Sequence, residues 1–493
     1  MRQRFEQQTA LGITPICEVK LPLKSRDELP PVLMALQYIF ITPELNEEIF
    51  SLLEKKVCEG KKPTGRKGMD LWHILVLSVV RHTLDTNWDR LELIANYDAL
   101  TRKIMGVSMS EFETYEIEFS RQSIIDNVCL VDEELLHAVN TIVVSYGQEL
   151  LKKKEDEKIK LKTDSYALET NVHFPTDLNL LWDASRKCLD TIKKLKKEGS
   201  ISGWRKLNFI RQNLKSIFRA TSQQVFRGKT EEQKKQRVKE YLKVATDLHE
   251  RFLAVSVTLK NGGSLKTLTL SLELEYYNSY VNKMIDLIHR RLIKGEVIEA
   301  SEKIYSIFEP HTEWISKGKL NRSVELGHLL LITTDQNHFI VDYKVMEHEK
   351  DASQVKPLIV RIKGVYPEQK IHSHSFDKGF YSKENLELLH QSGIENVILP
   401  KKGKLNQAEK EREGSAEFRK LRRAHSAVES NINMLEHHGL NRCPDKGLRG
   451  YKKYVGLSVL AYNLHILGNY LNAEKIKKEE KLSKQRIRYR SAA

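Results

Sequence analysis

The hydrophobic period of this chain changes at Lys158, and that change limits the architectures open to it. Before it the apolar residues recur at helical spacing: Trp72, Leu75, Leu77 and Val80; Leu91, Leu93 and Ile94; then Ile124, Ile125, Val128, Leu135, Leu136, Val139, Ile142 and Val143 over 120–153. From Lys158 they alternate, with Ile159, Leu161 and Thr163 on one side and Lys160, Lys162 and Asp164 on the other. The spacing predicts a strand that ends at Asp164 with the carboxylate on its polar face. Helical patterns return from about 185 to 305, marked by Trp204, Leu207, Ile210 and Leu214, by Val238, Tyr241, Leu242 and Ala245, and by Tyr277, Val281, Met284 and Ile288. Strands resume at Val324 to Ile332 and Phe339 to Val345, joined through Asp335 and Asn337 as a hairpin. A helix over Ala352–Ile362, a strand over Lys370–Phe376, a helix over Lys383–Gln391 and a strand over Asn396–Leu399 follow. A long helix from Glu413 to His438 stops at Gly439. The expected architecture is α/β: a mixed sheet interrupted after its first strand by a helical insertion, and preceded by an all-helical N-terminal domain.

The expected division is an extended leader (1–30) closed by Leu29-Pro30-Pro31, a helical DNA-binding domain (31–153), a first part of the sheet domain (154–184), a basic helical insertion (185–310), a second part of the sheet domain (311–440), and a C-terminal helix with basic tail (441–493). With 493 residues and 40% hydrophobic content, the chain can bury a sizeable core in several domains. The longest apolar runs, Ile74–Val80 and Gly456–Leu471, are short or broken by Asn463 and His465, so no membrane span is expected. The first thirty residues hold no apolar segment of the kind a secretory signal carries. The five cysteines (Cys17, Cys58, Cys129, Cys188, Cys443) form no C-x-x-C pair, which argues against a zinc ribbon or a disulfide framework. Net charge is +15, and it is concentrated: 26 Lys and Arg face 14 Asp and Glu over 185–310, and 13 face 4 over 441–493. Such segments fit a polyanion, nucleic acid foremost, or else solvated helix faces.

Three carboxylates fall where a two-metal site needs them. Asp164 closes the first predicted strand, Asp377 follows a later one, and Glu429 lies within the long helix. Aspartates on neighbouring strands with a glutamate on a helix beside them are able to hold two Mg²⁺ or Mn²⁺ ions, whose preference for hard oxygen ligands excludes zinc.

The words around them sharpen this reading. Asp164-Ser165, Glu169, Asn171, His173 and Pro175-Thr176-Asp177 form a pattern that resembles the first-aspartate motif of bacterial insertion-sequence DDE transposases. Phe376-Asp377-Lys378-Gly379-Phe380-Tyr381 resembles their second motif, and Arg422-Arg423-Ala424-His425-Ser426-Ala427-Val428-Glu429-Ser430-Asn431 with Gly439 to Cys443 resembles the third. The stretches 308–319 and 325–328 fit the same group, so the resemblance covers about 70–470 and is nearest to less-classified relatives of that superfamily. It implies a ribonuclease H-like catalytic core, with Asp164, Asp377 and Glu429 as catalytic residues and ligands of two Mg²⁺ (or Mn²⁺) ions. It also implies double-stranded DNA as partner, both element ends and target, and a homodimer or larger synaptic assembly in the bacterial cytoplasm, at the nucleoid. Arg422, Arg423, Lys378, Lys452 and Lys453 are the candidate DNA contacts. The activity implied is hydrolysis at the ends of the element and joining of the 3′-OH to target DNA. The competing readings are a ribonuclease H-like nuclease that never joins, and a catalytically idle DNA-binding descendant.

The chain departs from its relatives at His425 and Glu436, where many carry arginine and lysine; Asn433, His437 and His438 are the substitutes on that stretch. His372 and His374 alternate on one strand and read as hydrogen-bonded strand histidines, since no third metal ligand joins them in sequence. His173 suits either the site or the turn before Pro175. Trp182, Trp204 and Trp314 suit base stacking or, by default, core packing. Glu169 has strand parity opposite to Asp164, which argues against a fourth ligand.

Overall fold

The computed structural model describes residues 2–6, 13–60, 68–107, 117–151, 158–228, 230–260, 264–316, 324–367 and 369–492, with residues 260 and 486–492 described by backbone only. The predicted helix end at 153, the boundary at 153–154 and positions 317–319 of the bridging stretch lie outside the described residues. The chain divides into two compact units, Met1–Asn171 with Ile315–Ala493, and Val172–Trp314.

In the first unit, seven α-helices precede the sheet among the described residues: α1 (Leu29–Ile41), α2 (Pro43–Val57), α3 (Leu71–Thr83), α4 (Trp88–Tyr97), α5 (Ala99–Met105), α6 (Arg121–Val128) and α7 (Glu133–Leu151). The leader is not simply extended. Ile16, Val19 and Leu21 are buried around a short 3₁₀ turn at Ile16–Glu18, and Pro30 and Pro31 occupy the first turn of α1. Proline fits there because the first helical N–H groups have no intrahelical acceptor.

The strand β1 spans Ile159–Thr170, followed by α8 (Asp177–Lys197), α9 (Leu207–Arg227), α10 (Glu231–Lys260) and α11 (Leu265–Ile288), which make up the second unit. That unit has its own core, centred on Leu181, Cys188, Ile192, Tyr241, Phe252 and Met284. It is wider than the predicted 185–310 insertion because the close of the first motif is already helix-start grammar. Thr176 accepts the Asn179 N–H at 3.2 Å and Asn179 Oδ1 accepts the Thr176 N–H at 2.8 Å, a capping box that begins α8.

The sheet is completed by β2 (Glu313–Ser316), β3 (Val324–Thr334), β4 (Ile340–Val345), β5 (Ile371–Phe376), β6 (Asn396–Ile398) and β7 (Arg442–Cys443). Its order is β2-β3-β1-β5-β6, with β4 also on β3 and β7 also on β1. β3 runs antiparallel to β1 and β4, whereas β5, β6 and β7 are parallel to their neighbours. The helices that follow are α12 (Asp351–Val365), α13 (Lys383–Gln391), α14 (Gln407–Gly414), α15 (Ala416–His425), α16 (Ala427–Leu435) and α17 (Gly447–Ala492). The helix expected over 413–438 is therefore broken at Ser415 and at Ser426, and a π-turn at Glu436–Leu440 ends it.

Two cores sandwich the sheet. One joins Ile159, Leu161 and Phe376 to the N-terminal helices, α12 and part of α17; the other joins Tyr166, Leu168 and Ile332 to Val428, Leu435, Tyr451 and Tyr462. The described helices α1 to α7 consequently share a continuous core with the sheet and form no unit of their own, and the expected C-terminal helix begins at Gly447 and is largely buried to about Leu467. The chain is mixed α/β, as its patterning predicts.

Candidate active site

The site is built on β1. Ile159 and Leu161 face one core, Tyr166 and Leu168 the other, so Asp164 shares the face of the latter pair, which α16 and α17 cover. The strand does not stop at Asp164, because the alternation resumes at Tyr166 and β3 pairs with β1 from Lys162 to Glu169. On the other flank β5 pairs with β1 only as far as Thr163 opposite Phe376, and β7 joins at Glu169 opposite Arg442. Between those pairings, residues 164–168 have no strand partner on that flank among the described residues. Asp377, directly after β5, arrives beside Asp164 at the edge of this gap.

Glu429 lies in the first turn of α16, whose buried Val428, Asn431 and Leu435 hold the helix on the sheet while Glu429 itself is exposed. The charges of Asp377 and Glu429 both act on Asp164. Burial pushes the Asp164 carboxyl up to about 6; the Ser165 N–H, donating to its Oδ1 at 2.8 Å, opposes that shift, and the negative charges of Asp377, Asp351 and Glu429 add to it. Asp351, at the start of α12, is a neighbour that the motif reading misses. Burial raises its carboxyl as well, with a contribution from Asp377, and Ser165 Oγ donates to Asp351 Oδ1 at 2.7 Å. A helix-starting aspartate six residues past a strand is an ordinary sequence event, so only the tertiary contact reveals it.

His425 stands at the end of α15, with Nδ1 2.9 Å from Ser375 Oγ. Burial draws it down to about 4 despite the charge of Asp377, so at neutral pH it is uncharged and does not supply the positive charge that the motif resemblance leads one to expect there. Its Nε2 is buried with no hydrogen-bond partner among the described residues. Lys162, one turn of the pleat before Asp164, has its ammonium pushed down by burial. Glu436, Asn433 and His437 are exposed, whereas His438 is buried against the His465 ring (3.2 Å) and the His82 carbonyl (3.4 Å) and is closed to a phosphate.

The candidate DNA contacts divide. Arg422, Arg423 and Lys378 are exposed, Arg422 lying 4.0 Å from Glu413. Lys452 is engaged by Glu347 at 2.7 Å and Glu133 at 3.8 Å. Lys453 is buried, donating to Cys129 Sγ at 3.2 Å with Asp445 at 4.0 Å, so its position is internal and not that of a surface contact. His372 meets Glu395 at 3.0 Å and His374 meets Thr163 Oγ1 at 2.7 Å. In the second unit, His173 lies 3.2 Å from Asp183, Trp204 stacks on Phe252 and Trp182 on Phe218, and Trp314 packs edge-on to Phe174.

In donor chemistry the cluster fits a hard divalent cation, offering carboxylate oxygens. In geometry it is open: among the described residues no group of three or more His, Cys, Asp or Glu side chains is close enough to hold one ion. No helix among the described residues is long and apolar enough to cross a membrane. Comparison of the chain with protein-family models, curated proteins and solved structures finds no match in any of the three.

Proposed function

We propose that this protein is a DDE transposase of the insertion-sequence type, with a ribonuclease H-like core and Asp164, Asp377 and Glu429 as its metal-binding carboxylates. The observation that carries the reading is the convergence of three separate motifs at one opening in the sheet, where the charges of Asp377 and Glu429 both act on the half-buried Asp164. The mixed sheet with β1 inside it supports the ribonuclease H-like assignment. Two Mg²⁺ or Mn²⁺ ions, when bound, would polarise the scissile phosphate and neutralise charge in the transition state. Asp164 and Asp377 would hold the ions from the sheet, with Glu429 on α16 as the third carboxylate. In the first reaction the oxygen of water attacks phosphorus at the element end and loses a proton to solvent, while the P–O bond to the 3′ oxygen breaks and that oxygen takes up a proton from solvent to become the 3′-OH. In the second, that 3′ oxygen attacks a target phosphate and displaces the target's own 3′ oxygen, so one phosphodiester replaces another. Arg422, Arg423 and Lys378, exposed near the motifs, grip the DNA backbone by charge. Two ends are joined together, which calls for two or more protomers.

The test is cleavage and joining with Mg²⁺ on duplex DNA carrying the gene's own flanking ends, comparing wild type with Asp164→Asn and Glu429→Gln. Nicks at the element boundary and joined products from the wild type, with both variants binding but inert, support the reading. Cleavage without joining favours a nuclease, and equal binding by all three proteins without any cleavage replaces the reading with an idle DNA-binding protein.

A further inference from the structure

Asp351 belongs to none of the three motifs, yet it touches two of them. One carboxylate oxygen accepts the Ser165 hydroxyl at 2.7 Å, and Ser165 through its own N–H holds the Asp164 carboxylate at 2.8 Å. The other oxygen rests on the loop after Asp377: a Cβ added at Gly379 would stand 2.7 Å from Asp351 Oδ2. A side chain at this position would have to displace the carboxylate from the loop, so glycine two residues after Asp377 leaves room for it. By strand parity Ser165 faces away from Asp164, so Asp351 reaches β1 from the face opposite to the one that presents Asp164. A residue approaching from behind the strand is placed to set the spacing of what stands in front.

We propose that Asp351 is a positioning residue that fixes the separation of Asp164 and Asp377, bracing β1 through Ser165 and the second-motif loop through Gly379. The inference rests on the reading of those two aspartates as cation ligands. It distinguishes Asp351 from a fourth ligand, because a brace needs an acceptor oxygen for the Ser165 hydroxyl and a ligand needs the charge. An asparagine keeps the acceptor and loses the charge; an alanine loses both.

The experiment uses the full-length protein bound to duplex DNA with the gene's flanking ends, titrated with Mn²⁺, the bound fraction being read by electron paramagnetic resonance. Asp351→Ala and Ser165→Ala are each expected to weaken Mn²⁺ binding about tenfold, the scale on which partners of metal ligands act. The double variant should be no weaker than either alone, because both remove one contact. Asp351→Asn should stay within about threefold of wild type. Gly379→Ala, which pushes the carboxylate off the loop, should reproduce the loss from the other motif and stands in where Asp351→Ala does not fold. Asparagine as weak as alanine, additive losses, or variants that bind like wild type each overturn the brace while leaving the proposed function in place. A wild type that takes up no Mn²⁺ overturns the proposed function itself, and this inference with it.

Discussion

At the scale of single residues, buried polar groups decide more than exposed ones. Asp335 is fully buried at the β3–β4 turn, where Oδ1 accepts the N–H groups of Asn337 (2.8 Å) and Phe339 (2.9 Å) and Oδ2 accepts Gln148 Nε2 at 2.7 Å. Burial pushes its carboxyl up, and these three donors pull the other way. Asp335→Ala strands all three donors and should lower stability by about 3 kcal/mol, measured by urea unfolding; a loss below about 1 kcal/mol would show that water replaces them. The turn itself is legible in the sequence because aspartate folds back on its own backbone. The partner Gln148, from a helix nearly two hundred residues earlier, is not.

At the scale of elements, α17 shows how a helix takes its place. Gly468 sits where α17 crosses α1, and a Cβ there would stand 1.8 Å from the Pro31 carbonyl oxygen, inside any contact backbone atoms tolerate. Gly468→Ala should therefore force the two helices apart and cost about 2 kcal/mol or more, although alanine is the better helix former, and a raised melting temperature would refute that geometry. Asn463, which in sequence interrupts an apolar run, is wholly buried. It accepts the Ile340 N–H at 2.9 Å and donates to the Ile340 carbonyl (2.9 Å) and to Asn140 (2.7 Å). The residue that argues against a membrane span thus ties α17 and α7 to the buried start of β4. The break of the predicted 413–438 helix has a similar cause: Ser415 caps α15 by accepting the Phe418 N–H at 3.3 Å, and at Ser426 the chain turns so that Val428 packs on the sheet behind Glu429. Periodicity alone passes through such breaks because the apolar positions on either side keep helical spacing.

For the whole molecule, the buried histidines set the response to acid. Burial holds His374 down at about 3 and His425 and His438 at about 4, against an ordinary value of 6.5. Below pH 6.5 the unfolded chain takes up protons that the folded chain refuses, so each group costs ~1.4 kcal/mol per pH unit until its folded value is reached. Asp164 acts in the opposite sense: raised to about 6, it is protonated more readily when folded, and its burden at neutral pH is relieved as pH falls toward 3.8. His82, His137 and His465 are lowered by burial in the same sense, and although burial also raises Asp335, Asp351, Glu28 and Glu133 beside Asp164, the lowered histidines outnumber the raised carboxyls, so stability should fall between pH 6.5 and 4. Urea midpoints at pH 7, 6 and 5, taken in EDTA to keep cations from Asp164, measure this, and a midpoint that rises toward pH 5 would contradict it.

The sequence by itself determined the mixed α/β class, the hairpin and the helical block after the first strand, and it singled out Asp164, Asp377 and Glu429 as the carboxylates to propose, because period, turn chemistry and motif spacing are local and survive in a linear reading. Tertiary structure alone decided that helices α1 to α7 share the sheet's core, that Lys453 is internal while Arg422 and Arg423 are exposed, and that Asp351 stands behind Ser165. Each of those depends on which residues, up to several hundred positions apart, come to lie within a few ångströms, and burial and charge coupling act over that distance with no trace in the order of the chain.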